Sequence, residues 1–481
     1  MEKSQLFELI GSLTLAEMEQ IRQFAPLPFF NQGKMKAYVP SLLEICFNHL
    51  GQEGLEKKTV FVGLFPDQEF VEGKLEKVMV EAHKVVRTAL LVGNYLSADN
   101  EFQQAFDYAQ IVRARDLGVL YPQLLSRLKK AQEGSQVKNA SYFHQQFLVE
   151  NALHEEECLH NQKKGDLNIP NVLQALELHG QLNRLALLNR LLLQKKVAKF
   201  EIPETIRPII EENLSSAQYS EGSPTLQINI AIFNLLKKDR PNSSDIRMLL
   251  GLLRQYEENL DKESLQEFYT YLRNICALVF SADIEQVEIE MTLHELYKDN
   301  LVRGYLHNEG KLLPSRYWAV SSNAVRVKEF EWALDFIEKH KFELIGENES
   351  QDIYRLNLAN YLFGIGMFSE CLDNIAANSP FLDYLLQGKR LEIKAYYELQ
   401  SELLPFKLEA FKVFLSRTSP KLLPEFLRQN HLDFANLLHQ LIYSTPGDQK
   451  RSDLLIKRIQ EKKQAAEWRW LLEKAKALKN T

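Results

Sequence analysis

Apolar residues recur along most of the chain at the three- and four-residue spacing of a single helical face, with Leu, Glu, Gln, Lys and Ala common throughout. Period-two alternation of β-branched residues appears only briefly, in "TVFVGLF" (59–65), which Pro66 ends. The pattern predicts an all-α fold. In the first 133 residues it predicts helices over 4–10, 14–25, 35–50, 73–97, 99–113 and 119–132, arranged as an N-terminal helical bundle. Pro26 and Pro28 cannot continue a helix and Gly33 suits a turn, so "PLPFFNQG" separates the second helix from the third. "EGSQVKNA" (133–140) reads as a linker. A middle helical region follows over 140–245, in which Asn168 and Pro170 suit the start of a long helix.

From 246 to 448 the pattern becomes regular. "YWAVSSNAVRVKEFEWALDFIEKH" (317–340) aligns with "YRLNLANYLFGIGMFSECLDNIAANSP" (354–380) when Ala333 is placed on Cys371. Ser321 then falls on Ala359, Val320 on Leu358, Phe330 on Phe368, Leu334 on Leu372 and Ile337 on Ile375. Each unit reads as helix, tight turn, helix, with small residues where two helices must approach closely. A third unit, 388–417, puts Ala395 and Ala410 at the small positions. The steps from Ala333 to Cys371 and from Cys371 to Ala410 are 38 and 39 residues, a period of the kind that helical-hairpin solenoids show.

Residues 354–380 carry an Asn-Leu-small-Asn run (Asn357, Leu358, Ala359, Asn360), a turn glycine (Gly366), an aromatic (Phe368), then Glu370, Cys371 and Leu372, with Pro380 near the end. This unit resembles the tetratricopeptide repeat, in a divergent form. Its early aromatic is displaced to Tyr354, the period exceeds the standard length, and the third unit has an extended turn. The resemblance implies an α-α hairpin superhelix whose first helices line a concave groove. Over nearly the whole chain, "LTLAEMEQIRQFAPLPFFNQ", "YWAVSSNAVRVKEFEWALDFI" and "EWRWLLEKAKAL" are similar to an uncharacterised bacterial family of long helical proteins from the Bacteroidota, which implies no activity.

Composition narrows the class. Of 481 residues, 45% are hydrophobic and 25% charged, enough to bury a core, and the net charge of −6 gives no overall basic excess for nucleic acid. Cys46, Cys158, Cys276 and Cys371 are widely spaced without a CxxC pair, which suits free thiols in a reducing compartment. The N-terminal stretch lacks the basic and uncharged regions of a signal peptide. The longest apolar run, "LALLNRLLL" (185–193), is short and contains Arg190, so no transmembrane segment is expected. A cytoplasmic location follows as the expectation.

Chemical motifs are incomplete. "FGIGMF" holds GxG without the third glycine or the preceding strand of a dinucleotide site, and "GQEGLEKKT" does not satisfy a phosphate loop. In "HEEECLH" (154–160), His154 and Cys158 share one helix face with Glu150, but zinc needs about four convergent ligands. "SRLK" (126–129) lacks a partner motif. No catalytic residue, metal or cofactor is expected.

The last segment, 449–481, reads as a basic C-terminal capping helix. Between Lys450 and Lys479 it holds ten basic and four acidic residues, a net of +6. Trp468, Leu471, Ala475 and Leu478 form an apolar stripe. It either covers the last hairpin or offers a basic surface (Lys457, Arg458, Lys462, Lys463, Arg469) to nucleic acid, lipid or a partner. By carry-over from the repeat, Trp318, Ser322, Arg326, Asn360, Phe363, Lys389 and Tyr396 are the expected peptide-binding groove. The leading expectation is a non-catalytic scaffold binding a protein or peptide partner. The alternative is a nucleic-acid-associated protein using the basic C-terminal helix.

Overall fold

The computed structural model describes residues 4–51, 54–71, 73–160, 165, 167–198, 201–211, 223–239, 241–282, 287–344, 347–375, 381–445 and 447–480. The fold is all-α, with one two-stranded β-hairpin among the described residues. No helix of these residues is long and apolar enough to cross a membrane. The chain divides into two compact units, one of residues 1–135 with 141–177 and one of residues 136–140 with 178–481.

The first unit contains α1 (Gln5–Gly11), α2 (Leu15–Phe24), α3 (Val39–Asn48), α4 (Lys57–Leu64), α5 (Lys74–Tyr95), α6 (Glu101–Ala114) and α7 (Leu120–Glu133). It also takes most of α8 (Ala140–His160) and the start of α9 (Ile169–Ala198). Ser4 caps α1 through Phe7 N–H, and Thr14 with Glu17 forms a reciprocal capping box on α2. Helix α5 is the spine. Its Leu75, Val78, Met79, Ala82, Val85, Val86 and Ala89 are buried against α1 to α3, and α4, packed on α3, joins the same core. A second cluster joins Ala109 and Val112 of α6, Tyr121, Leu125 and Leu128 of α7, and Val149 and Ala152 of α8.

The "TVFVGLF" run, whose alternation suggested a strand, lies in α4 and the residue after it. Val60, Phe61 and Leu64 are buried while Val62 is exposed, a one-face helical distribution that tertiary burial imposes over β-branched preference.

The second unit holds the rest of α9, then α10 (Arg207–Glu211), α11 (Pro224–Lys237), α12 (Ser243–Gln255), α13 (Lys262–Ala282) and α14 (Val287–Val302). The hairpin β1 (His307–Asn308) and β2 (Lys311–Leu312) follows. Its turn residues Glu309 and Gly310 both have positive φ, 49° and 76°, as a tight two-residue turn requires. Next come α15 (Pro314–Arg326), α16 (Phe330–His340), α17 (Glu347–Gly364), α18 (Phe368–Asn374), α19 (Leu382–Glu398), α20 (Leu404–Arg417), α21 (Glu425–Ile442), α22 (Gln449–Glu461) and α23 (Trp468–Asn480).

Three helical hairpins in this unit close the same way. Helix α17 ends with Gly366 in the left-handed region, Gly366 N–H donating to Phe363 O and Met367 N–H to Leu362 O. Lys328 closes α15 identically, through Lys328 N–H to Val325 O and Glu329 N–H to Ala324 O. Gln400 closes α19, through Gln400 N–H to Tyr397 O and Ser401 N–H to Tyr396 O. Gly364 serves a different purpose. A methyl there would run into Val325 and Phe330, so its lack of a side chain lets α17 approach the previous hairpin.

Two expectations for this region need correcting. Ala410, placed at the small position of the third unit, is exposed, and α20 buries Leu404, Leu408, Phe411 and Leu415 instead. Gln400 follows Gly366 by 34 residues and α20 begins four residues after Gln400, so the longer turn displaces the register. The segment expected as one C-terminal helix forms two, α22 and α23. The turn between them is pinned where Ala466 N–H donates to Asn430 O of α21, and Glu467 adopts φ 54°. Trp468, Leu471, Leu472 and Ala475 are buried with residues of α19 to α22. Pro380 lies outside the described residues.

Candidate functional site

Three successive first helices of these hairpins present residues to one cavity of about 330 Å³. Helix α15 supplies Trp318, Ser322 and Arg326, spaced at i, i+4 and i+8 so that they stack along one face. Helix α17 supplies Asn360, Phe363 and Gly364, and α19 supplies Gln387, Arg390, Leu391 and Lys394. Glu467, from the turn before α23, completes the wall.

Five of the seven expected groove residues therefore meet. Lys389 and Tyr396 do not join them. Lys389 places its ammonium 4.9 Å from the Phe414 ring centroid on α20, and Tyr396 packs into the neighbouring apolar cluster with Lys407 5.3 Å from its ring. The shortened step between hairpin turns is the reason. Ser322, Asn360 and Lys394 each sit six residues before the left-handed residue that closes their helix, so Lys394 occupies the place that simple spacing misassigned.

Within the cavity, Asn360 Nδ2 lies 3.5 Å from Ser322 Oγ. Glu467 accepts from Arg390 Nε at 3.1 Å and from Lys394 Nζ at 2.9 Å. Burial pushes the Glu467 carboxyl up, but the charges of Lys394 and Arg390 outweigh that and hold it down at about 2. The Lys394 ammonium also lies 4.6 Å from the Phe363 ring centroid and 5.8 Å from that of Trp470. Arg390 Nη1 approaches His431 Nδ1 at 3.4 Å. Burial, then the Arg390 charge, pushes His431 down to about 3, so its ring is neutral and accepts from the guanidinium.

At the other edge, Arg326 Nε donates to Glu290 Oε1 at 3.2 Å, and Arg469 Nη1 lies 3.5 Å from the same oxygen. Burial raises the Glu290 carboxyl against the lowering pull of these two arginines. The cavity and its rim thus gather four cations and two carboxylates. Gln387 Oε1 adds a buried acceptor with no hydrogen-bond partner among the described residues.

The remaining candidates are dispersed. Lys457 is exposed on α22, Arg458 donates to Gln440 Oε1 at 2.7 Å, and Lys462 pairs with Asp433 at 2.6 Å. The Lys463 ammonium lies 5.8 Å from the Trp468 ring centroid. These residues belong to two helices and the turn between them, and three of the five cations meet acceptors of the same unit. In the first unit, Cys158 Sγ lies 3.7 Å from the His154 ring nitrogens, while His154 Nδ1 approaches Leu167 O at 2.7 Å. Glu150 is drawn to Lys129 and Asn168 instead of joining them. Cys371 is fully buried, and burial pushes its thiol up to about 12, so it packs as a small apolar residue.

The residues that sequence spacing missed are Gln387, Arg390, Lys394 and Glu467. Glu467 had a faint signal, being one of four acids in a strongly basic segment. No protein-family model, curated protein or solved structure matches the chain.

Proposed function

We propose that the protein is a non-catalytic cytoplasmic scaffold that binds an anionic segment of a partner peptide or protein in the cavity of α15, α17 and α19. The convergence of Trp318, Arg326, Phe363, Arg390 and Lys394 from three consecutive hairpins on one net-positive cavity carries the reading. Arg and Lys recognise carboxylates, while Trp318 and Phe363 give apolar anchors to the residues flanking them. The Gln387 carbonyl oxygen suits a peptide N–H donor. The repeated left-handed turns at Lys328, Gly366 and Gln400 support reading this stretch as a divergent tetratricopeptide-like array. The basic C-terminal residues give the nucleic-acid alternative less support, because their apolar stripe is buried and the cations are spread over two helices and the turn between them rather than converging on one cavity.

The test is selection from a random peptide library by the full chain, followed by binding of the recovered peptides to Arg326→Glu and Trp318→Ala. Acidic peptides with apolar flanks, bound at least about tenfold more weakly by either variant, are expected from the loss of a charged or aromatic anchor. Recovery of peptides that bind the wild type and both variants equally would sink the assignment.

A further inference from the structure

A second cluster of chemically potent side chains lies away from this cavity, where the β-hairpin meets the end of α16. His307 belongs to β1, His340 is the last residue of α16, and Glu343 lies in the short 3-10 turn that follows. One donor atom from each lies within 4.8 Å of the other two. Glu343 Oε2 is 2.9 Å from His307 Nε2 and 2.6 Å from His340 Nδ1, so both imidazoles converge on a single carboxylate oxygen.

We propose that His307, His340 and Glu343 form a binding site for one divalent cation of the zinc class. The donor set selects the metal. Two imidazole nitrogens suit zinc, cobalt and their neighbours, whereas calcium and magnesium take oxygen ligands. Two His and one Glu also make a three-ligand zinc set of the kind that leaves a fourth position to water. With bonds of about 2.0–2.1 Å, tetrahedral donors stand roughly 3.3 Å apart, so small outward movements around Glu343 convert the present cluster into a coordination shell. The side chains of His307 and His340 are shielded while that of Glu343 is 36% exposed, which leaves an approach from solvent on the carboxylate side.

The scaffold around the ligands is fixed independently of them. His307 pairs with Leu312 across the hairpin, and Leu312 in turn bridges to Leu344, the residue after Glu343. Gln266 Nε2 donates to His307 O at 3.1 Å, and Arg316 Nη1 donates to Leu306 O at 2.7 Å. The His340 ring packs 5.0 Å from the Phe336 ring, centroid to centroid. Ligand-bearing backbone held by its own hydrogen bonds is what precise metal geometry requires. Both imidazoles meet Glu343 at N–H···O distances; a divalent cation would displace those two protons and take both ring nitrogens and the carboxylate oxygen as its ligands.

The test is titration of the full chain, stripped with chelator, with Co²⁺ alone. One equivalent is expected to bind with the intense visible absorption of tetrahedral cobalt, and Zn²⁺ should displace it. His307→Ala and Glu343→Gln should each weaken binding by at least about tenfold, while the control His154→Ala leaves it unchanged. Glu343→Gln keeps shape and a partly exposed position, so it decides the matter if His307→Ala fails to fold by circular dichroism. Absence of a stoichiometric cobalt complex would overturn the proposal. So would binding that survives Glu343→Gln undiminished, or binding abolished by His154→Ala.

Discussion

Lys394 Nζ donates to Glu467 Oε2 at 2.9 Å while its ammonium stands 4.6 Å from the Phe363 ring centroid. One side chain thus links the turn before α23 to the face of α17 across the candidate cavity. Glu467 reaches this position from a left-handed backbone, φ 54°, which costs a non-glycine residue about 1–2 kcal/mol. The ion pairs with Lys394 and Arg390 act there together with the Ala466 N–H to Asn430 O bond that pins the turn.

Removing that carboxylate should leave two shielded cations without their partner. Glu467→Gln is expected to cost about 2 kcal/mol at pH 7, below the full range for a broken buried pair because a quarter of the Glu467 side chain is exposed. The carboxyl is lowered from 4.5 to about 2 on folding, so its stabilisation is present above 4.5 and fades as pH falls towards 2. His431 is lowered from 6.5 to about 3 and adds its own loss of stability as pH falls through that interval. Urea denaturation of wild type and Glu467→Gln side by side separates the two. The gap between them should hold from pH 7 to 5 and close between pH 4.5 and 2. A gap that persists at pH 2 would contradict the ion-pair account.

The three left-handed hairpin turns differ in chemistry. Only Gly366 is suited to φ 85°, whereas Lys328 at 65° and Gln400 at 51° bear side chains. Relief of about 1–2 kcal/mol at a left-handed position exceeds the entropic cost of glycine, roughly 0.5–1 kcal/mol, so Lys328→Gly and Gln400→Gly should each stabilise by about 0.5 kcal/mol. Gly366→Ala should destabilise by about 1 kcal/mol. Denaturant midpoints at unchanged slope check all three. Stabilisation by Gly366→Ala would refute the turn assignment.

These turns also show what the sequence could reveal. The all-α class is legible because helical periodicity covers most of the chain, and 317–340 aligns with 354–380 because Phe330 and Phe368 each begin the second helix of a hairpin and Ala333 and Cys371 are both fully buried. Gly366 announced its turn, but Lys328 and Gln400 close hairpins with no residue that marks a left-handed position. Because Gln400 bears no such mark, sequence spacing sets the third hairpin out of register and points to Lys389 and Tyr396, whereas Arg390 and Lys394 line the cavity. Glu467 and the His307–His340–Glu343 cluster were invisible for another reason. Arg390 and Lys394 lie 77 and 73 residues before Glu467, and His307 lies 36 residues before Glu343; only His340 and Glu343 are local neighbours, and nothing local in a sequence encodes the longer meetings.

Gly364 packs where a β-carbon would strike Val325 and Phe330. Gly364→Ala should therefore destabilise by about 1–3 kcal/mol through overpacking, despite alanine's better helix propensity. Shortening the obstacle should recover part of this. In a double-mutant cycle, Val325→Ala combined with Gly364→Ala is expected to lie at least about 0.5 kcal/mol above the additive sum, because the new methyl enters the space that Val325 vacates. Additive losses, measured by urea unfolding, would place the conflict elsewhere.

Thiol reactivity tests the role assigned to the cysteines. Burial pushes Cys46 up to about 11 and Cys276 and Cys371 to about 12, and all three are buried. Cys158 is half-buried. An aromatic disulfide reagent at pH 8 should then modify one thiol quickly in the folded chain and all four after denaturation, with peptide mapping placing the fast label on Cys158. Loss of the fast phase in Cys158→Ser would complete the assignment. Rapid labelling of Cys371 in the folded chain would instead mean that the hairpin of α17 and α18 opens readily, and that the residue is not the packed interior group its burial describes.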